Sequence, residues 1–242
     1  DDHMTRLYRS LAELRIPDPM SERAMNVIMD QVIRRNLVRN GIIYMQITRG
    51  VTQVRDHAYS EELKPSVVMT ARTLKPVNMN QVRDGVSIIG IPDMRWKRCD
   101  IKSVSLLPNI LGKQMAKEAG AYEAWMVDDQ GYVTEGTSSN AWIVTADGDL
   151  VTRPTDHAIL KGITRVSVMA LAEKAGFKII ERSFTLEEAK LAKEAFLTST
   201  TSLVKPVTEI DGTTVANGKP GALTEKLFEL YEFYTDTIGK GA

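Results

Sequence analysis

The stretch Val133-Thr134-Glu135-Gly136-Thr137-Ser138-Ser139-Asn140 places a run of small hydroxyl and amide side chains directly after a predicted strand. A second run, Ser199-Thr200-Thr201-Ser202, also follows a predicted strand, and Gly162-Ile163-Thr164 begins a predicted helix. Small residues with backbone N–H groups exposed at a helix N-terminus suit a phosphate. Each run alone is more typical of an ordinary turn or cap. Three of them, with neither GxxxxGK[ST] nor GxGxxG, favour a phosphate held outside the P-loop and Rossmann frameworks.

A lysine and a carboxylate accompany these runs. Lys102 lies in Cys99-Asp100-Ile101-Lys102-Ser103-Val104, and Glu135 lies in the first hydroxyl-rich stretch. Either side chain alone is more typical of a solvated surface. A lysine held in an apolar pocket, however, becomes a nucleophile toward carbonyls. Pyridoxal 5'-phosphate requires such a lysine, a carboxylate for its ring nitrogen and a phosphate cup, and the sequence offers all three.

Composition limits the other possibilities. The chain has 242 residues, 43% of them hydrophobic, which is typical of a globular protein. Lys+Arg and Asp+Glu are both 31, so the balanced charge gives no general attraction to nucleic acid or to an anionic membrane. One cysteine and three histidines argue against a metal site. No apolar run approaches the ~20 residues that span a bilayer, and we expect a cytoplasmic protein.

Hydrophobic periodicity predicts a mixed α+β protein in two domains. Residues 1–76 form the predicted small domain, 77–84 a polar linker, and 85–242 the larger domain with the candidate site. Ser21 is the predicted N-cap of the second helix of the small domain. Helices and short strands alternate through the larger domain, and the chain has no internal repeats.

The motifs taken together resemble the fold-type IV pyridoxal-phosphate aminotransferases, and most closely the D-amino-acid transaminases. The resemblance runs almost from end to end. It is carried by residues 3–8, 48–50, 95–103, 122–124, 133–140, 159–165 and 198–202. A lysine motif, then a TEG-[ST]-S-S-N motif, then LKGITR is a highly specific combination.

The resemblance implies a role for each matching residue. Lys102 would form the Schiff base with pyridoxal 5'-phosphate and shuttle the proton, and Glu135 would pair with the pyridinium nitrogen. The remaining cofactor contacts that it implies are Arg6, Ile163, Thr164 and Thr200 at the phosphate, Leu160 against the ring, and Ser138 and Ser139 nearby. The implied reaction converts D-alanine and 2-oxoglutarate to pyruvate and D-glutamate.

Arg55 and His57 match an Arg-x-His motif that, in D-amino-acid transaminases, helps to bind the substrate α-carboxylate. An arginine fork suits a carboxylate because it can donate two parallel hydrogen bonds. The alternative is a solvated loop whose charges have no such task. In the family a loop of the second subunit completes this trap, so the resemblance also implies a homodimer.

Four alternatives stay open at this point. The same fold serves branched-chain L-amino-acid transaminases, (R)-amine transaminases and aminodeoxychorismate lyases. The family also has a segment before the point where this sequence begins, which supplies strands of the small domain. We therefore expect the small domain to lack those strands, and a chain that binds the cofactor weakly without turnover is the fourth alternative.

Overall fold

The fold is that of a computed structural model, which describes residues 2–60, 62–75 and 78–240. The chain divides into two compact units between residues 77 and 78. Residues 76 and 77 of the predicted linker lie outside the described residues. The rest of that linker is not purely irregular, because it contains helix α3 (Met79–Arg83), and Val82 of α3 is buried in the core of the second unit.

The first unit consists of two helices and a hairpin. The helices are α1 (Asp2–Glu13) and α2 (Glu22–Arg35), and strands β1 (Gly41–Thr48) and β2 (Ser66–Thr73) pair antiparallel along their full length. Ser21 caps α2 as predicted, since its Oγ accepts a hydrogen bond from the N–H of Ala24 at 3.3 Å.

The second unit contains nine strands and four further helices after α3. The strands are β3 (Val86–Pro92), β4 (Glu123–Val127), β5 (Val133–Gly136), β6 (Asn140–Val144), β7 (Leu150–Thr152), β8 (Ile179–Glu181), β9 (Glu194–Ser199), β10 (Leu203–Ile210) and β11 (Thr213–Thr214). The helices are α4 (Leu107–Glu118), α5 (Ile163–Lys174), α6 (Leu186–Lys190) and α7 (Ala222–Lys240).

The large sheet curls on itself. Its strand order is β5-β4-β3-β10-β9-β6-β7-β8, with β11 paired to β10. The two edges nevertheless meet, because the N–H of Val133 donates to the carbonyl of Phe184 at 2.9 Å and Tyr132 bridges Thr185. The curl explains how a short turn joins β5 to β6 although four strands lie between them in the order.

Two apolar clusters form on the two faces of this curled sheet. Successive residues of β6 point to opposite faces, so Ile143 joins one cluster and Trp142 and Val144 join the other. Helices α5 and α7 cover the second cluster with Val168 and Leu227, among others. No helix in the described part of the chain combines the length and apolar character needed to cross a membrane.

The mixed α/β class is confirmed. Most predicted elements of the larger domain appear within a few residues of their expected bounds. Helix α7 runs to Lys240, where the periodicity predicted an end at residue 234.

Candidate active site

Glu135 is the buried centre of the candidate site. Its Oε2 accepts hydrogen bonds from Nδ2 of Asn140 at 3.0 Å and from the N–H of Leu160 at 3.1 Å, and its Oε1 accepts from Nη1 of Arg95. A carboxylate can accept about four hydrogen bonds. The described residues supply three, which leaves room for one further donor. Burial raises the pKa of Glu135 to about 7, and the charge of Arg95 and the N–H of Leu160 act against that rise.

Arg95 holds the carboxylate from below and has a side chain only 4% exposed. Its guanidinium grips Asp93 with two hydrogen bonds, Nε to Oδ1 at 2.9 Å and Nη2 to Oδ2 at 2.7 Å, and also donates to the carbonyl of Ala158. Burial alone would lower the pKa of Arg95, but the bonds to Asp93 and the charge of Glu135 raise it instead. Arg95 belongs to the quoted lysine motif, yet no role could be assigned to it from the sequence, because its partners lie about 40 residues away.

Asn140 connects Glu135 to the segment before α5. The same Nδ2 that donates to Glu135 donates to the carbonyl of Leu160 at 3.0 Å. Gly162 lies against this amide so closely that a Cβ atom there would come within 2.2 Å of Oδ1 of Asn140. The two motifs that are about 20 residues apart in sequence therefore meet at one asparagine side chain.

Helix α5 begins directly after that contact. Its N-cap is Gly162, which has no side chain to satisfy the first N–H groups of the helix. Ile163 and Thr164 are the first two helical residues, and their N–H groups suit an anion. The hydroxyl of Thr164 is buried 3.4 Å from that of Tyr231 on α7.

Lys102 lies in a loop that is anchored on both sides. Before it, the N–H of Cys99 donates to the carbonyl of His157 at 2.8 Å, and the carboxylate of Asp100 pairs with Arg98 at 3.0 Å. After it, the loop enters α4, where Nδ2 of Asn109 donates to the carbonyl of Thr137 at 2.8 Å. The loop thus contacts both the segment before Leu160 and the hydroxyl-rich turn, while the Lys102 side chain itself is exposed.

The hydroxyl-rich turn between β5 and β6 points toward a second buried carboxylate. Glu123 is 1% exposed and accepts hydrogen bonds from the hydroxyls of Thr137, Ser138 (3.0 Å) and Ser139 (3.2 Å). Ser138 and Ser139, which were expected near the cofactor, therefore use their hydroxyl protons on Glu123. The sequence did not identify Glu123, because nothing local distinguishes a buried glutamate from a surface one.

Thr200 lies in the turn between β9 and β10. Strand β9 pairs with β6 such that Thr198 is opposite Asn140, so this turn follows the strand beside the Glu135 network. The three remaining predicted residues belong to the first unit. Burial lowers the pKa of Arg6 on α1, and Arg55 and His57 are exposed in the loop between β1 and β2.

These residues fit pyridoxal 5'-phosphate. The open acceptor position on Glu135 suits a protonated ring nitrogen, and the start of α5 suits a phosphate, while the lysine loop is tied to both. The described residues contain no group of three His, Cys, Asp or Glu side chains that could hold a metal ion.

Comparison with known proteins agrees with this geometry. The D-alanine aminotransferase of Bacillus licheniformis is 43% identical over 227 residues, which are 94% of this chain and 79% of the relative. That of Staphylococcus aureus (strain MSSA476) is 35% identical over 98% of this chain and 83% of its own length. Among solved structures, the branched-chain amino acid aminotransferase of Escherichia coli has a TM-score of 0.85 at 25% identity, covering 95% of this chain and 78% of that one.

A further solved relative was determined with pyridoxamine 5'-phosphate. This branched-chain amino acid aminotransferase, from T.th., has a TM-score of 0.86 at 27% identity, covering 96% of this chain and 77% of that one. The amino-transferase class IV family matches residues 1–210. The chain therefore belongs to the class IV aminotransferases, the fold-type IV enzymes that use pyridoxal 5'-phosphate.

Proposed function

We propose that this protein transfers the amino group of D-amino acids, converting D-alanine and 2-oxoglutarate to pyruvate and D-glutamate. The observation that carries the proposal is the buried network of Glu135, Arg95 and Asn140, which joins a ring-nitrogen partner to the start of α5. The similarity to D-alanine aminotransferases over most of the chain supports the choice of substrate.

Each site residue has a separate task. Lys102 holds the cofactor covalently and, once released, takes the α-proton of the substrate on Nζ and returns it. Glu135 keeps a proton on the ring nitrogen, so that the bound cofactor can withdraw electrons from the substrate. The N–H groups of Ile163 and Thr164 bind the phosphate.

The other predicted contacts complete the cofactor site. Leu160 packs against the ring, and Arg6 and Thr200 add donors for the phosphate. Ser138 and Ser139 line the site from the turn that Glu123 holds. Their hydroxyls present lone pairs rather than protons, because the protons are donated to Glu123.

Arg55 and His57 bind the substrate α-carboxylate in this proposal. The placement of that carboxylate decides which face of the substrate meets Lys102, and therefore which enantiomer reacts. Branched-chain L-amino acids are the second candidate, because solved branched-chain aminotransferases share the fold at TM-scores above 0.8. The substrate is thus the part of the proposal that most needs a test.

The test is the visible spectrum of the protein loaded with pyridoxal 5'-phosphate. D-Alanine should abolish the yellow band within minutes and release pyruvate, and 2-oxoglutarate should restore the band. L-Alanine is the matched control. Conversion by L-leucine or an (R)-amine in place of D-alanine would overturn the D-amino-acid assignment, and pyruvate release without a 2-oxo acid acceptor would indicate a lyase.

Variants assign the chemistry to Lys102. Lys102→Ala should lose the yellow band and at least about 10³-fold in turnover, since both the covalent link and the proton carrier are gone. Lys97→Ala is the control, because Lys97 is an exposed lysine of the same motif. Normal turnover by Lys102→Ala would refute the assignment.

We further propose that the enzyme is a homodimer. Helix α4, which follows the Lys102 loop, exposes an apolar stripe of Leu107, Ile110 and Leu111, and the first two are 66% and 61% exposed. Such a stripe is unusual on a monomer. Sedimentation should give a dimer, and Ile110→Asp should give monomers, whereas the same change at isolated, exposed Leu191 should not. A monomeric parent protein would refute the proposal. The cytoplasmic location stays a prediction.

A further inference from the structure

The turn that carries Thr200 is a short hairpin loop in a strained conformation. Ser199 and Leu203 pair across β9 and β10, so only residues 200–202 form the loop. Leu203 has φ 58°, in the left-handed region that branched or bulky side chains seldom adopt. A loop of this kind keeps its shape only when other contacts determine it.

Two contacts of Ser202 supply that determination. Its N–H donates to Oγ of Ser199 at 3.0 Å, inside the loop. Its hydroxyl, on a residue only 8% exposed, forms a hydrogen bond of 2.7 Å with the phenol of Tyr122. The second contact spans 80 residues and is the tertiary anchor that the structure gives for this loop.

Tyr122 is itself held firmly. Its N–H donates to the carbonyl of Ser87 at 2.9 Å, and its carbonyl accepts from Nζ of Lys113. The ammonium groups of Lys113 and Lys205 lie 4.7 Å and 5.3 Å from the centre of its ring, where the ring attracts cations. The phenol therefore projects from a ring that has little freedom to move, and it can transmit a fixed position to Ser202.

We propose that Tyr122 is a positioning residue for the phosphate of the cofactor, acting through Ser202 on the loop 200–202. The inference rests on the proposed phosphate contact of Thr200. Tyr122 sets the place of the loop, and the loop presents Thr200 to the phosphate. Loss of the phenol hydroxyl should therefore weaken binding of the phosphorylated cofactor specifically.

The experiment compares two ligands that differ only in the phosphate, pyridoxamine 5'-phosphate and pyridoxamine, by calorimetry on the full chain. Tyr122→Phe and Ser202→Ala should each weaken binding of pyridoxamine 5'-phosphate about fivefold, the value of one ordinary hydrogen bond. Pyridoxamine should bind the variants and the parent protein equally. The double variant should lose no more than either single variant, because both remove the same bond.

Tyr132→Phe is the matched control, since Tyr132 is 37% exposed and Tyr122 39%. The proposal is overturned if Tyr122→Phe binds pyridoxamine 5'-phosphate like the parent protein. It is also overturned if both ligands weaken equally, which would indicate a general structural role, or if the two single losses add.

Thr200→Val separates this inference from the proposed function. Unchanged affinity of Thr200→Val for pyridoxamine 5'-phosphate would refute the phosphate contact of Thr200, whatever Tyr122→Phe shows. A weakened Thr200→Val together with an unchanged Tyr122→Phe would keep that contact and refute the positioning role alone.

Discussion

Removal of Arg95 should destabilise the second unit more than any surface substitution. Arg95→Met keeps the length and the apolar stem of the side chain but removes the guanidinium. Asp93 then loses two hydrogen bonds and Glu135 loses one, and both carboxylates stay buried. Breaking a buried ion pair by deleting one partner costs roughly 3–5 kcal/mol, and we expect a loss in that range at pH 8.

The loss should depend on pH in a definite direction. Arg95 holds the pKa of Asp93 below its ordinary value against the effect of burial, so this pair stabilises the fold above the ordinary pKa and stops doing so as the pH falls through the lowered one. Without Arg95, burial would raise the pKa of Asp93. Glu135, whose pKa is already about 7, would be raised further. The variant should therefore lose stability as the pH rises, and the difference from the parent protein should be smaller at pH 5 than at pH 8.

Urea unfolding followed by far-UV circular dichroism measures this effect at both pH values. The control is Arg182→Met, because Arg182 and Glu188 form a half-exposed surface pair, which is worth at most about 1 kcal/mol. A loss below about 1 kcal/mol for Arg95→Met at pH 8, or equal losses at pH 5 and pH 8, would refute the reasoning.

Three other predictions follow from buried groups. Glu194→Gln should cost about 1–2 kcal/mol in urea unfolding, because Glu194 accepts two hydrogen bonds at 2.7 Å from Thr224 at the start of α7; an unchanged midpoint would count against this cap. Gly162→Ala should displace Asn140 and weaken pyridoxal 5'-phosphate binding at least about tenfold in a spectral titration, and full affinity would contradict the contact. Burial raises the pKa of the Cys99 thiol to about 11, so alkylation by iodoacetamide should be slow at pH 7 and accelerate about tenfold per pH unit; rapid reaction at pH 7 would be inconsistent with it.

The residues with local signatures could be predicted from the sequence. Ser21 stands at the right distance before a periodic apolar face, and it caps α2. Glu135 and Gly162 stand in motifs whose residue types have few other uses. The mixed α/β class followed from short strands that alternate with helices.

The residues that act through long-range contacts could not be predicted. Arg95 and Glu123 are charged residues in ordinary local surroundings, and only the fold shows that each is almost completely buried among polar partners. The curl of the sheet also has no local signal, because it depends on which strands pair. Helix α3 was missed because a polar segment with a single buried valine resembles a linker.

The hydrogen bonds of Asn140 have a consequence for how the cofactor enters. Because its amide is bonded at once to Glu135 and to Leu160, the ring-nitrogen partner and the segment that leads into α5 are already held together by the chain alone. Little conformational entropy then remains to be lost when the cofactor arrives, and more of the contact energy appears as affinity. Loading should resemble a key entering a finished lock, with association limited by encounter and by the chemistry at Lys102 rather than by slow ordering of this part of the protein.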